Sequence, residues 1–148
     1  MPRSIGFSMA GREVFVDTSG LYALVDKNDA HHSPAKKVVK AFLRAGRRFV
    51  VTDYIVAEAV TLANVRSGAH VALRVLDLIE QSAGIRLEWV GPSRFDTAKN
   101  FFRKHADHAY SFTDCSSFVV MRELRLTQAL TTDGHFPEAG FEALLPAR

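Results

Sequence analysis

The sequence contains a single cysteine, Cys115, among its 148 residues. It can therefore form no internal disulfide, and it lacks the several cysteines of a cysteine-rich zinc site. Its longest uncharged stretches, residues 4–11 and 18–25, have eight residues each, far fewer than the roughly 20 that a membrane-spanning helix needs. Residues 1–13 also lack the apolar stretch of a secretory signal. These absences predict a soluble cytoplasmic protein that does not enter a membrane.

The composition is that of one ordinary globular domain. Hydrophobic residues make up 47% and charged residues 24%, which excludes a chain that is disordered throughout. The length is typical of a single domain, and the sequence has neither internal repeats nor a linker rich in proline and glycine. We predict an N-terminal arm over residues 1–12, in which Met9 is an alternative start to Met1, and one domain over residues 13–148.

Short apolar segments alternate with helix-length segments along the chain. The predicted strands are residues 14–16, 49–51, 85–90 and 129–131. Strands separated by helices form a parallel sheet that is covered on both faces. The pattern therefore predicts an α/β fold, with a central parallel sheet of four to five strands flanked by helices.

Several helices follow from the same pattern. One is predicted over residues 53–66, and another begins near residues 111–114. A third is expected to begin at Ser93 with Asp96 as the acid of a capping box, which would turn Phe95, Ala98 and Phe102 towards the core.

Four acidic residues occupy unusual positions in this arrangement. Asp17 and Asp133 follow predicted strands directly, and Asp114 lies at a predicted helix start. Glu58 interrupts an apolar stretch, residues 55–60, within a helix. Ligands of parallel α/β sheets bind beyond the carboxyl ends of the strands. We therefore expect the four side chains to meet there.

Each acid also has a structural explanation when it is considered alone. Asp114 stands three residues after Ser111, so it could be the acid of a capping box. Asp17 and Asp133 could form turns or caps after strands, and Glu58 could lie on the polar side of its helix. Together, however, acids at two strand ends and within an apolar helix favour one common site.

Physical chemistry restricts what such a site can be. Four carboxylates within a few ångströms cannot all remain ionised unless protons or cations compensate their charge. A hard divalent ion such as Mg²⁺ or Mn²⁺ prefers oxygen ligands and keeps several waters. It can acidify a water and stabilise charge on a phosphoryl oxygen. The acids therefore indicate metal-assisted hydrolysis of a phosphodiester.

Four segments resemble the PIN domain, and within it the VapC-type toxin ribonucleases of toxin–antitoxin pairs. They are residues 16–19 (Val-Asp-Thr-Ser), 56–59 (Val-Ala-Glu-Ala), 111–116 (Ser-Phe-Thr-Asp-Cys-Ser) and 131–136 (Thr-Thr-Asp-Gly-His-Phe). Their order and spacing are similar to those of the family over residues 14–144. The resemblance implies a single PIN-like domain and an endoribonuclease that depends on Mg²⁺ or Mn²⁺.

The resemblance also implies residue roles. Asp17, Asp114 and Asp133 would hold one or two metal ions, and Glu58 would act through a water bound to the metal or orient the attacking water. Thr18 and Thr113 would support these carboxylates by hydrogen bonding.

The partners implied by the resemblance are an RNA substrate, a VapB-like antitoxin and a second copy of the chain in a homodimer. Two other functions stay open from the sequence. The chain could be a catalytically silent PIN-like module that binds RNA or protein. It could also be an RNA-processing or DNA nuclease that is not linked to an antitoxin.

The charge of the chain outside the four acids bears on these expectations. If the four acids form one site, 19 basic residues face the 12 remaining acids, so the rest of the chain carries a formal charge of +7. A basic surface around an acidic pocket suits the binding of a polyanion.

Cys115 is expected to be a small buried residue of a helix rather than a nucleophile. His135 follows Asp133 closely enough to contact a substrate phosphate, although a solvated position is the more common outcome.

Overall fold

A computed structural model describes residues 13–147. Five strands form one sheet: β1 (Glu13–Val16), β2 (Arg48–Thr52), β3 (Ile85–Glu88), β4 (Gln128–Leu130) and β5 (Glu142–Ala143). The helices are α1 (Thr18–Val25), α2 (His32–Arg44), α3 (Asp53–Arg66), α4 (Ala69–Gln81), α5 (Gly91–Lys104), α6 (Phe112–Glu123) and α7 (His135–Glu138). The predicted arm, residues 1–12, lies outside the described residues.

All five strands run parallel, in the order β3-β2-β1-β4-β5. This confirms the predicted α/β fold with a central parallel sheet. Because β1 lies between β2 and β4, the order of connection reverses at β1, and a crevice opens at the carboxyl ends of β1 and β4. The register aligns Val16 with Leu130. The residues that follow these two strands therefore leave the sheet side by side.

The helices cover both faces of this sheet. Helix α1 packs against α2, α3 and α4, while α5 packs against α6. Parallel crossovers are right-handed, so the helices that connect β1 to β2 and β2 to β3 lie on one face, and those that connect β3 to β4 lie on the other. None of the helices between residues 13 and 147 combines the length and apolar character needed to cross a membrane.

The core consists of apolar side chains on both faces of the central strands. Phe15, Phe49, Phe118 and Phe136 are fully buried, and the rings of Phe118 and Phe136 meet edge to face with centroids 5.0 Å apart. Burial of aromatic side chains contributes a large share of the hydrophobic stabilisation of a domain this small. The core therefore fixes the strand ends from which the acids project.

Helix α1 approaches the sheet most closely at Gly20. A Cβ atom at this position would lie 2.0 Å from the carbonyl oxygen of Leu130, which is closer than any nonbonded contact allows. Glycine at residue 20 therefore lets the helix that follows Asp17 rest directly on the end of β4. The sequence pattern did not predict this helix.

The predicted start of the third helix is wrong. Helix α5 begins at Gly91 with a proline in its first turn, so Ser93 lies within the helix rather than at its cap. Ala98 is buried as predicted, but Phe95 is 40% and Phe102 41% exposed, so the prediction that these two rings face the core is wrong. Both rings instead contact the ring of Phe112, at centroid distances of 5.5 and 6.1 Å.

Candidate active site

The four acids predicted from the sequence line one cavity at the carboxyl edge of the sheet. This cavity, the acidic notch, has a volume of about 170 Å³, and Asp17, Glu58, Asp114 and Asp133 contribute to its walls. Asp17 comes directly after β1, Asp133 follows β4, and Asp114 lies in the first turn of α6. The crevice between β1 and β4 thus brings together residues that are up to 116 positions apart.

Two hydroxyl groups hold the side chain of Asp17. Thr131 donates a hydrogen bond of 2.8 Å to Oδ2 of Asp17, and Ser19 donates another of 3.2 Å to the same atom. The Ser19 hydroxyl also accepts a hydrogen bond of 3.0 Å from the backbone N–H of Thr132. The Asp17 carboxylate is therefore fixed between the start of α1 and the end of β4.

Asp114 serves the helix and the notch together. Its Oδ2 atom accepts a hydrogen bond of 3.0 Å from the backbone N–H of Ser111, and the Ser111 hydroxyl accepts one of 2.9 Å from the N–H of Asp114. This pair is a complete capping box at the start of α6. The structural explanation considered for Asp114 is thus correct, and it is compatible with a place at the site.

His135 is a neighbour of the acids that the sequence did not single out as a site residue. Its Nδ1 atom lies 3.2 Å from Oδ2 of Asp114 and 3.3 Å from Oδ1 of Asp133. Its backbone N–H donates a hydrogen bond of 2.9 Å to Oδ1 of Asp133. The only signal in the sequence was its position two residues after Asp133, which places the ring beside that carboxylate because helix α7 begins there.

Glu58 reaches the notch from the exposed side of α3. Ile55 and Ala59 are buried, as expected for this apolar stretch, but the Glu58 side chain is exposed, so the alternative that Glu58 lies on the polar side of its helix is correct. The Thr18 hydroxyl donates a hydrogen bond of 2.6 Å to Oε1 of Glu58. Thr18 therefore contacts one of the carboxylates that it was expected to support.

Thr113 lies beside Glu58 in a neighbouring groove of about 740 Å³. Within residues 13–147, its hydroxyl group forms no hydrogen bond with the four acids. Its supporting role stays a prediction.

Burial of the notch changes the acidity of its carboxyl groups. Burial raises the pKa of Asp17 from 3.8 to about 6, although the hydrogen bond from Thr131 acts in the opposite direction. The negative charges of Asp114 and Asp133 raise it further. Burial also raises the pKa of Asp114, and the charge of Asp133 adds to this effect. The fold thus holds negative charge where neither water nor a described cation fully compensates it.

The donor atoms of the notch suit a divalent cation. One ligand atom each from Asp114, Asp133 and His135 lie within 4.8 Å of one another, and Asp17 faces the same cavity. Carboxylate oxygens are the ligands that Mg²⁺ and Mn²⁺ prefer. A cation would also relieve the repulsion that raises the pKa of Asp17. The residues present therefore fit a divalent metal.

Cys115 takes no part in this chemistry. Its side chain is fully buried in α6, and burial raises the pKa of its thiol to about 11. A thiol of this kind stays protonated at neutral pH and is a poor nucleophile. The expectation of a small buried helix residue is confirmed.

Comparisons with known proteins agree with this geometry. The family model of the PIN domain matches residues 14–142. The 23S rRNA-specific endonuclease VapC20 of Mycobacterium tuberculosis, in strains CDC 1551/Oshkosh and H37Rv, is 36% identical over 135 residues. The alignment covers 90% of this chain and 98% of that protein.

A solved structure shares the fold as well. The crystal structure of VapC20 from M. tuberculosis, described as a sarcin–ricin loop cleaving toxin, has a TM-score of 0.76 to this structure at 33% sequence identity. The match covers 86% of this chain and 95% of the other. The similarity therefore extends over the whole domain rather than a local motif.

The raised pKa of Asp17 predicts how the stability of the metal-free protein depends on pH. The folded state keeps a proton on Asp17 that the unfolded state releases, so the free energy of unfolding should fall as the pH rises from about 4 to about 6. Asp17→Asn removes this loss and should stabilise the protein at pH 7.5 in EDTA by up to about 3 kcal/mol. Urea unfolding of both proteins at pH 4 and pH 7.5 measures it. An equal difference at both pH values would contradict the raised pKa.

Proposed function

This chain belongs to the PIN domain family as a VapC-type toxin endoribonuclease, and we propose that it hydrolyses RNA with Mg²⁺ or Mn²⁺ bound in the acidic notch. The observation that carries this proposal is the convergence of four carboxylates at one cavity, where burial and mutual repulsion raise the pKa of Asp17. Maintaining negative charge on the buried side chains of Asp17 and Asp114, next to two further carboxylates, is costly for a fold unless a cation offsets it.

Asp17, Asp114 and Asp133 are the proposed metal ligands. When bound, a divalent ion lowers the pKa of a water molecule and stabilises negative charge on a phosphoryl oxygen. The hydroxyl groups of Ser19 and Thr131 orient the Asp17 carboxylate, so that its free lone pairs face the notch. Because the carboxylate is already oriented, it does not need to rearrange when a metal ion binds.

The side chain of His135 lies between the Asp114 and Asp133 carboxylates. An Nδ1–H group at this position donates to either carboxylate and thereby reduces their repulsion. The ring is about one-third exposed, so its other nitrogen can also reach a phosphate oxygen of the substrate.

Glu58 is the proposed group that orients the attacking water. It stands apart from the cluster formed by Asp114, Asp133 and His135, and its Oε1 atom is held by the Thr18 hydroxyl. This leaves the other carboxylate oxygen free to accept a proton from a water in the notch.

Ribosomal RNA is the proposed substrate. The relative with 36% identity is named as specific for 23S rRNA, and its structure is described as that of a sarcin–ricin loop cleaving toxin. Because the match covers nearly the whole of both chains, we extend the substrate class to this protein. A synthetic RNA hairpin with the sequence of the sarcin–ricin loop (the RNA hairpin) is therefore the substrate of choice.

The proposed protein partners are a VapB-like antitoxin and a second copy of the chain. The groove beside the notch is lined by Tyr54, Ala57, Leu62 and Val65 along α3, and Val65 is 80% exposed. An apolar groove of this size suits the apolar side of a partner helix. An antitoxin helix there would cover Glu58 and block the notch.

Further apolar side chains on α4 support a homodimer. Leu73 is 59% and Leu76 38% exposed, and adjacent apolar side chains of this kind mark association surfaces. We expect the isolated chain to elute as a dimer in size-exclusion chromatography with light scattering. Elution of a monomer at all concentrations tested would contradict the homodimer.

Cleavage of the RNA hairpin tests the proposed activity. Wild-type protein should cut it in Mn²⁺ and not in EDTA, while Asp17→Asn should lower the rate by at least about 100-fold because a ligand charge is lost. Asp107→Asn, an exposed acid outside the notch, is the matched control and should retain the wild-type rate. In a growth assay after induced expression, wild type and Asp107→Asn should inhibit growth, whereas Asp17→Asn should not. Equal cleavage by wild type and Asp17→Asn would contradict the mechanism, and a wild type without activity would indicate a silent binding module.

Glu58→Gln separates the role of Glu58 from that of the metal ligands. The amide keeps an oxygen for the Thr18 hydrogen bond, but it cannot accept a proton. We expect a loss of roughly 100-fold or more in kcat, whereas the rise in Tm on addition of Mn²⁺ should equal that of wild type. Glu80→Gln on the exposed side of α4 serves as the control. If Glu58→Gln abolished the Mn²⁺-induced rise in Tm, Glu58 would be a direct ligand.

A further inference from the structure

A second cavity adjoins the acidic notch and carries the opposite charge. This cavity, the basic trough, has a volume of about 530 Å³ and is lined by Lys27, Arg66, His70 and Arg74. Arg66 also lines the notch, so the two cavities meet at its side chain. We propose that the basic trough binds the phosphodiester backbone of the RNA on one side of the bond that is cut. This inference rests on the proposed function and adds a substrate-binding surface to it.

The basic side chains of the trough are not neutralised by ion pairs. Among the residues that the structure describes, no carboxylate lies within 4.0 Å of Lys27, Arg66 or Arg74, and all three are exposed. Arg86 and Arg94, in contrast, are each held between two glutamate side chains. Arginines that are paired in this way have little charge left for a ligand, so the unpaired ones determine where a polyanion binds.

The acidic residue in the trough wall does not cancel this charge. Asp26 is 7% exposed, and its carboxylate accepts hydrogen bonds of 2.9 Å from the backbone N–H of Asn28 and from the Ser67 hydroxyl. These bonds and the charge of Arg74 lower the pKa of Asp26. Its single negative charge lies below a surface that carries three permanent positive charges, which leaves the trough with a net positive charge.

The walls of the trough are held in place by a chain of hydrogen bonds. The Ser67 hydroxyl joins Asp26 to the hydroxyl group of Tyr22, which lies in α1. Ser67 directly follows Arg66 and ends α3, while Gly68, with φ of 96°, turns the chain into α4. The backbone that carries Arg66 is therefore tied to α1, the helix that follows Asp17.

The remaining basic groups share one side of α4. His70 and Arg74 are four residues apart, so their side chains lie one helical turn from each other. A strand of RNA that places one phosphate at the notch would carry its next phosphates past Arg66 and along this row. Arginine presents a planar fork of donors that matches phosphate oxygens.

The positive charge of the trough offsets the electrostatic repulsion between the acidic notch and the RNA. Before a metal is bound, four carboxylates repel an approaching phosphate group, and a positive surface at the edge of the notch attracts the rest of the polyanion. The net charge of the whole chain is only +3. It attracts RNA effectively only if the positive charges are concentrated near the notch. The position of the trough is thus what a nuclease with an acidic centre requires.

Binding of the RNA hairpin in EDTA tests the inference without cleavage. Lys27→Gln/Arg74→Gln should raise the Kd about tenfold at roughly 100 mM salt and reduce the slope of log K against log salt by about 1.4, since each of the two lost phosphate contacts lowers it by about 0.7. Arg103→Gln/Lys104→Gln removes the same two residue types from the exposed end of α5. This control should stay within twofold of wild type.

Two further measurements keep the result interpretable. Lys27→Arg/Arg74→Lys preserves both charges and should restore the wild-type salt slope. The rise in Tm with Mn²⁺ should be the same in all four proteins, which shows that the fold and the notch are intact.

The outcomes separate the inference from the proposed function. If wild type cuts the hairpin but Lys27→Gln/Arg74→Gln binds it as tightly as wild type, or no more weakly than the control pair does, the inference is overturned. If wild type neither binds nor cuts the hairpin, the proposed function fails, and the inference fails with it.

Discussion

Burial of acidic side chains next to one another is the constraint on which the rest of this structure depends. The parallel sheet brings Asp17 and Asp133 to neighbouring strand ends, and the first turn of α6 adds Asp114. None of these charges is offset by a described lysine or arginine in an ion pair, and burial raises the pKa of Asp17 to about 6. The surrounding hydroxyl and backbone N–H groups hold the acids in place but leave their charge largely uncompensated. Acidic side chains that the fold holds in this way form a site suited to binding a cation.

The sequence was sufficient to predict the elements that position these acids. The apolar segments that became β1, β2 and β4 are short, are buried on both faces, and end at polar residues, which is the signature of parallel strands. The helix predicted over residues 53–66 has the bounds observed for α3. Because the carboxyl ends of parallel strands share one edge, the meeting of Asp17 with Asp133 followed from the pattern alone.

Other features depend on contacts that a linear pattern does not contain. Helix α1 includes Gly20, a poor helix former, and it forms because that glycine packs against the carbonyl of Leu130. The start of α5 was misplaced because a serine followed by an acid resembles a cap, whereas Gly91 and Pro92 set the true beginning. The sequence indicates only a possible phosphate contact for His135, because its proximity to Asp114 arises from the packing of α7 against the sheet edge.

Asp114 both caps α6 and lines the notch, and this has a practical consequence for the design of an inactive form of the protein. The oxygen that faces His135 is the same atom that accepts the N–H of Ser111, so a substitution at residue 114 alters the notch and loosens the first turn of α6 together. Capping interactions contribute about 1 kcal/mol, a noticeable fraction of the stability of a small domain. Loss of toxicity in such a protein could not be assigned to chemistry alone. Asp17 makes no side-chain cap to its helix, and Asp17→Asn is expected to raise rather than lower the stability of the metal-free protein, so loss of activity in that variant could not be attributed to unfolding.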